Sequence, residues 1–416
     1  MISIEELRKD PQKFAKGAKD KGIEINIQEV VELDVLYREL MGKVQSLREE
    51  RNKAAKARDI EQGKKIKGEL EKLERELKDV EKRLQDLLWS IPNPAKSDVK
   101  VGKDDYENEI VRKEGTPRPF SFSVRDHMEL GEMLDIIDVK RAAKVSGARF
   151  YYLKNEGALL EQALVKFAFD TLVAKGFIPI IPPVLITEDS MRRLGYMENG
   201  GDEDMFRLKE DGLILVATAE QSIVPIHRDE VLNESELPKR YVGYSPSFRR
   251  EAGSYGKDTR GILRVHEFNK VEMVSFVADG KDDEEHEFLL SLEEKFFQDL
   301  EIPYQVVKMC TGDLGFPAAR KYDLEAWMPG QEKYREVTSV STVTDFQSRR
   351  LNTKYKTKTG TEYVQILNGT AFSIGRPIIA ILENFQEEDG SVMIPEVLRK
   401  YTGFDKISPK KTVTLQ

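Results

Sequence analysis

The stretch with the densest chemistry lies between positions 248 and 272. It reads Phe248-Arg249-Arg250-Glu251, a loop carrying Gly253, Gly256 and Gly261, and then Arg264-Val265-His266-Glu267-Phe268-Asn269-Lys270-Val271-Glu272. Arg249 and Arg264 offer planar cations for phosphates, Glu251 offers a carboxylate acceptor for an exocyclic amine, and Phe268 offers a flat face for stacking. Together these groups suit a bound nucleotide, although an Arg-x-Glu triplet taken alone equally suits a charged hairpin with solvated ends. Flanking apolar and aromatic residues predict two antiparallel strands, over 241–250 and 262–276, joined by the glycine loop as a mobile connection. On the second strand Phe268, Lys270 and Glu272 alternate onto one face. Farther along, Glu336 and Ser339 present hard oxygens three residues apart, and Arg376 follows Gly375 at a strand-to-helix junction with Pro377 in the first turn. Alone, each such acid also reads as an ordinary surface carboxylate.

Those residues need a scaffold, and composition bounds it. With 416 residues, two domains are expected. Hydrophobic residues at 39% supply a core, and 34% charged residues point to long solvated helices. The net charge of −8, from 66 basic and 74 acidic side chains, excludes a blanket electrostatic grip on nucleic acid, so a polyanion must meet a local patch. A single cysteine, Cys310, and four scattered histidines exclude a disulfide framework and speak against a Cys/His zinc site. Met1-Ile2-Ser3-Ile4-Glu5-Glu6 has no basic region followed by an apolar core, and no stretch is long and apolar enough to span a bilayer. A cytoplasmic, reducing location and no membrane partner are expected.

Residues 1–26 read as a short helix and a connector, with Pro11 in a first turn. Leu33, Leu36, Leu40, Val44 and Leu47 then recur at helical spacing. After breaks at 59–63 and at Gly68 the pattern resumes at Leu70, Leu73, Leu77, Val80, Leu84 and Leu87. This predicts an antiparallel helical hairpin over about 28–90, a rod on the order of 45 Å at ~1.5 Å per residue, ended by Ile91-Pro92-Asn93-Pro94. A dimerising coiled coil or spacer would look the same. The tip, however, gathers Arg51, Lys53, Lys56, Arg58, Lys64 and Lys65, a candidate phosphate reader. Residues 98–119 read as a linker and 404–416 as a disordered tail. His127 and Lys144 are catalytic by type but have no evident partner, and read as structural. A helix over 157–175 ends at Gly176, and the prolines of Phe177-Ile178-Pro179-Ile180-Ile181-Pro182-Pro183 confine that segment to a sheet edge or an interface. Strand-like runs follow at 321–327, 333–341 and from 363.

Phe248-Arg249-Arg250-Glu251 with Arg264 to Phe268 resembles the second signature motif of class II aminoacyl-tRNA synthetases. The segment around Pro183 resembles the first motif, and Gly375-Arg376 the third. Thr218-Ala219-Glu220, Ala252-Gly253-Ser254, Thr259-Arg260-Gly261 and Glu272 are similar to the seryl family of that class, as is the run from Asp126 to Leu153. The resemblance spans nearly the whole chain. It implies an α+β fold: an antiparallel catalytic sheet flanked by helices over 120–403, and a tRNA-binding domain over 1–97 that carries the hairpin arm.

The resemblance also implies roles. Arg249, Glu251 and Arg376 would be catalytic, and ATP would be held by Arg249, Arg250, Glu251, Arg264, Val265, Phe268, Glu336, Val337, Thr338, Ser339 and Arg376. Mg2+ would sit on Glu336 and Ser339. L-serine would be bound by Thr218, Ala219, Glu220, Arg249, Glu272 and Thr370, with Glu272 and Thr370 at its side chain and Thr218 and Glu220 near its amino group. The arm would grip the long variable arm of tRNA(Ser) across a homodimer, with tRNA(Sec) a second candidate. Two stretches depart from the family: Ser339-Val340-Ser341-Thr342-Val343-Thr344 replaces a Ser-Cys-Ser run, and Gly195-Tyr196-Met197-Glu198-Asn199-Gly200-Gly201-Asp202 replaces a Gly-Thr-Gly-x-x-Pro loop. Two rivals remain, a same-scaffold ligase that loads a carrier protein and a non-catalytic RNA-binding paralogue. The first lacks an arm in the family, and the second has no need of Arg249, Glu251, Glu336 and Arg376 together.

Overall fold

Ser3, Asp10, Asn26 and Asp59 each accept a hydrogen bond from the backbone N–H three residues on, which starts four helices. These are α1 (Ile4–Lys9), α2 (Pro11–Asp20), α3 (Ile27–Ala57) and α4 (Ile60–Trp89). The computed structural model describes residues 1–198, 200–252 and 260–410, and the chain divides into two units, Met1–Pro94 and Ala95–Gln416. In the first unit α3 and α4, of 31 and 30 residues, form the predicted hairpin. Val30, Leu33, Leu40, Val44 and Ala54 on α3 are buried, as are Ile66, Leu70, Leu84 and Leu88 on α4. Each valine, leucine or isoleucine among them contributes roughly 1.5–3 kcal/mol when fully buried. Leu36, expected in this seam, lies outside it at 36% exposed. A single break separates the helices: Arg58 adopts the left-handed conformation at φ 56° and Asp59 caps α4. Gly63 and Gly68 do not interrupt α4, because Ile66 and Leu70 hold that turn in the seam.

The second unit is built on an eight-stranded sheet. Its strands are β1 (Glu109–Glu114), β2 (Ile178–Ile180), β3 (Lys239–Phe248), β4 (Glu267–Val277), β5 (Tyr304–Lys308), β6 (Arg320–Met328), β7 (Lys333–Thr344) and β8 (Gln365–Ser373). In space they run β1-β5-β6-β7-β8-β4-β3-β2, antiparallel throughout except for the β2/β3 pair. Helices α5 (Asn155–Val173), α6 (Asp282–Asp299) and α7 (Gly375–Asn384) share one core with one face of this sheet. Phe167, Phe296 and Phe372 meet there, with the rings of Phe296 and Phe372 4.9 Å apart. Alternation along β4 divides its work: Val271 and Met273 enter the helix-side core, whereas Val274 and Phe276 enter a second core on the opposite face. Phe268 and Lys270 share that opposite face and line a cavity.

Several expectations change. Residues 98–119 are not a plain linker, since Glu109–Glu114 forms the edge strand β1 against β5. The described part of the expected tail, 404–410, carries structure: Lys406–Ile407 pairs with Val392–Met393, and Ile407 is 1% exposed. Positions 411–416 of the expected tail lie outside the described residues, as do Asn199 and the glycine-loop positions 253–259. Residues 262–266, expected in a strand, instead satisfy their backbone elsewhere: Ile262 N–H donates to His127 Nε2 and His266 N–H to the Arg149 carbonyl. Gly261, at φ +97°, has room there only for hydrogen, because a Cβ would lie 2.2 Å from His127 Nε2. His127 is buried and held by Glu383, 3.0 Å from its Nδ1, which fits a structural role. The proline-rich segment supplies edge strand β2. Among the described residues no helix is long and apolar enough to cross a membrane.

Candidate active site

The ends of β3 and β4, the middle of β7 and the start of α7 converge on one cavity lined by Arg249, Glu251, Arg264, Phe268, Glu336 and Arg376, among others. Arg249 continues from β3 and is pinned by its backbone, which donates to the His266 carbonyl and accepts from His266 Nδ1, both at 3.0 Å. Its guanidinium lies 5.3 Å from the Phe268 ring centroid. Glu251, at φ 53°, accepts from Arg264 Nη1 at 3.2 Å. Arg376 meets Glu336 at 3.1 Å and donates to its carbonyl at 2.9 Å. Three arginines and a ring around one space make a site for a phosphorylated planar ligand.

Glu336 and Ser339 would fall on opposite faces of a regular strand. The β6/β7 register shifts between them, Glu325 opposing Glu336 and Leu324 opposing Thr338, so Val337 is an extra residue. The bulge returns Glu336 and Ser339 to one face, opposite Glu325 and Asp323 respectively. Burial works against ionisation of Glu336, yet Arg376 and Lys321 outweigh it and hold the carboxyl at about 2. Its side chain keeps 39% of its surface open to the cavity. Burial raises Asp323, whose Oδ1 lies 3.0 Å from Lys321. Among the described residues no cluster of three His, Cys, Asp or Glu is placed to hold an ion. An ionised carboxylate beside a hydroxyl nonetheless fits a hard cation that completes its shell with water and ligand phosphates.

A second pocket shares Arg249, Lys270 and Ser339 with this space, and buried polar side chains gather on its wall. Lys270 Nζ lies 2.6 Å from Glu272 Oε2 and 3.1 Å from Thr218 Oγ1, and Thr370 donates to Glu272 at 3.2 Å. Asn368 Nδ2 bridges Glu220 at 2.7 Å and Glu272 at 3.2 Å. Burial, with Glu272 nearby, pushes Glu220 up to about 7. Such a set of satisfied but exchangeable donors and acceptors suits a small zwitterion with a hydroxyl.

Not every expected residue arrives. Arg250 is exposed and lies over the Phe206 ring, away from the cavity, because the side-chain direction alternates past Arg249. Ala219 is fully buried in the second core behind Thr218 and Glu220, where it faces Gly243. Glu272 is 0% exposed, beneath Lys270 and Thr370, and does not itself line the cavity. Val265, Val337, Thr338 and Ser339 do line it, although the Thr338 hydroxyl donates to Glu293 on α6. Sequence reasoning missed Asn368, Lys321 and Tyr196 as site residues and gave Lys270 no role, though its alternation with Phe268 and Glu272 was a usable signal. In the first unit Arg51, Lys53, Lys56, Arg58, Lys64 and Lys65 are all exposed around the hairpin break.

The family model for the seryl-tRNA synthetase N-terminal domain matches residues 1–95, and that for the tRNA synthetase class II core domain (G, H, P, S and T) matches 205–385. The serine–tRNA ligase of Dictyoglomus turgidum is 42% identical over 425 residues, covering 99% of this chain and 100% of the relative. That of Thermobifida fusca is 44% identical, covering 98% and 99%. Among solved structures, seryl-tRNA synthetase from Pyrococcus horikoshii complexed with ATP superposes with a TM-score of 0.93 at 40% identity, covering 99% of this chain and 100% of that one.

Proposed function

The chain belongs to the seryl-tRNA synthetase family, and from that premise we propose that it activates L-serine with ATP and transfers serine to the 3′ end of tRNA(Ser). One observation carries this reading: the arginine-lined cavity shares Arg249, Lys270 and Ser339 with an adjoining pocket on whose wall the buried polar residues Thr218 and Glu220 lie. Adenylate formation brings a carboxylate against the α-phosphate, two anions whose approach is limited by electrostatics and position. Arg249 stands at the boundary of the two spaces and can hold both anions bidentately as charge moves to the leaving pyrophosphate. Glu251 accepts from the adenine amine, Phe268 stacks, and Arg376 reaches the ring and the terminal phosphate. No protein nucleophile is required. Mg2+ bound by Glu336 and Ser339 would neutralise phosphate charge. The low-lying Glu336 carboxyl stays ionised for that task across the physiological range.

Thr218 and Glu220 receive the ammonium of serine. Glu272 acts on the hydroxyl side through Thr370 and Lys270, which cover it. The exposed basic hairpin tip binds the variable arm of the tRNA, and tRNA(Sec) is an acceptor to test beside tRNA(Ser). Exposed apolar residues on α5 and by β2, including Leu159, Ile178 at 45% and Ile181 at 83%, supply a homodimer surface. The location is cytoplasmic, where these substrates are found. The test is aminoacylation with labelled serine, ATP, Mg2+ and total tRNA. Charging confined to tRNA(Ser), or to it and tRNA(Sec), is expected, whereas serine loaded on a carrier protein and on no tRNA would overturn the reading.

A further inference from the structure

Resting on that reading of the pocket, we infer that Tyr196 is a positioning residue for the amino-acid ammonium, acting through the carboxylate of Glu220. The Tyr196 hydroxyl donates to Glu220 Oε1 at 2.5 Å, while Asn368 Nδ2 donates to Oε2 at 2.7 Å. Glu220 is 3% exposed, and no described cation lies within ion-pair distance of it. Lys270, the nearest candidate, is engaged by Glu272 and Thr218. Three neutral donors, Tyr196, Asn368 and the Gln347 side chain, therefore orient Glu220 without cancelling its charge and leave a lone-pair position for an incoming cation. A buried carboxylate of this kind is costly unless a cation completes it. A ligand ammonium entering beside Thr218 is such a cation.

The loop that carries Tyr196 is fixed from behind. Arg350, 2% exposed, pairs with Glu198 at 2.8 Å, donates to the Arg192 carbonyl at 3.0 Å and lies 4.4 Å from the Phe346 ring centroid. Gln347 Nε2 donates to the Leu194 carbonyl at 3.1 Å. Gly195 turns the chain at φ +86° where a Cβ would press on Phe346, and a Cβ on Gly201 would lie 2.3 Å from the Tyr196 carbonyl. Anchors on both sides thus hold Tyr196 against the pocket it lines with Thr218, Glu220, Lys270 and Asn368.

The hydrogen bond also sets when Glu220 can work. The charged and titratable groups facing it are Tyr196 from the loop, Asp204 beyond that loop, Lys270 and Glu272 from β4, Arg249 at the end of β3 and Lys321 from β6. Burial and Glu272 raise Glu220 to about 7, and Tyr196, Lys270 and Gln347 oppose that rise. Losing the hydroxyl raises the carboxyl further, so the acid limb of serine use must move to higher pH.

The experiment is serine-dependent ATP–pyrophosphate exchange by the full chain and by Tyr196→Phe, between pH 6 and 9. Tyr196→Phe should raise KM for serine roughly 10-fold or more, leave KM for ATP in place, and shift the acid limb of kcat/KM for serine upward. An unmoved acid limb, or an equal rise in KM for ATP, overturns the inference. If that variant does not fold, Tyr196→Gln and Tyr196→Leu replace it. The donor-bearing Gln variant should show the lower serine KM and the lower acid limb, and equality of the two overturns the inference. Absence of serine-dependent exchange in the unaltered chain would instead fail the synthetase reading itself.

Discussion

The two units of this chain use charge in opposite ways. On the arm, charges stand in water: Arg48 and Glu74 pair at 2.7 Å across α3 and α4 with 51% and 39% of their side chains exposed, and the basic tip is exposed throughout. Such pairs contribute about 1 kcal/mol at most and are screened by salt, so the arm is held together by its apolar seam. In the sheet unit the charges sit inside: Lys270 and Glu272 are 8% and 0% exposed, and Glu220 is 3% exposed. There each charge is fixed by several named donors and acceptors, and loss of one partner strands the other. The contrast teaches that the arm can act on a polyanion through summed, replaceable attraction, whereas the pocket acts through geometry that no neighbour can supply.

Substitutions sharpen or break that contrast. The largest effect belongs to Arg249→Ala, which removes the one guanidinium shared by both halves of the cavity. Exchange and tRNA charging should fall together by on the order of 10³-fold, as when a preorganised transition-state donor is lost, with little change in thermal midpoint. Retention of more than a tenth of the activity would remove Arg249 from the chemistry. Deleting residues 28–89 across a short linker should reduce charging on the order of 100-fold or more while exchange stays largely intact. Equal loss of both would make the arm a structural support. The smallest effect is expected from neutralising Arg51, Lys53, Lys56 and Arg58: tRNA affinity should fall modestly, and the slope of log affinity against log salt should flatten. An unchanged slope would move the phosphate contacts elsewhere.

How much could be read in advance follows the same division. The hairpin announced itself through its helical apolar period, although the break was read too broadly: it falls at Arg58 and Asp59, and Gly63 and Gly68 stay within α4. The strands bearing Phe248 and Phe268 were equally legible, since apolar residues lead into both. Edge strand β1 was invisible because five of its six residues are exposed, leaving no alternation to detect. The order of the tail rests on a two-residue pairing and on Ile407, too short a signal against a polar background. Within the site, Arg249, Phe268, Glu336, Thr370 and Arg376 could be named from type and resemblance. Asn368, Lys321 and Tyr196 could not be assigned roles, because those depend on which strands and loops become neighbours, whereas Lys270 was passed over despite its alternation with Phe268 and Glu272. The β8/β4 pairing brings Asn368 to Glu272, and the loop that follows Gly195 brings Tyr196 to Glu220. Arg250 and Ala219 were misplaced for the converse reason, since motif membership does not say which way a side chain turns.

The central claim is that the sheet unit forms an adenylate from serine and from no other standard amino acid. Amino-acid-dependent ATP–pyrophosphate exchange, run side by side on all twenty, tests it most directly. The account predicts exchange with serine alone above background. Exchange as strong with alanine, threonine or glycine would contradict it, and so would exchange with none.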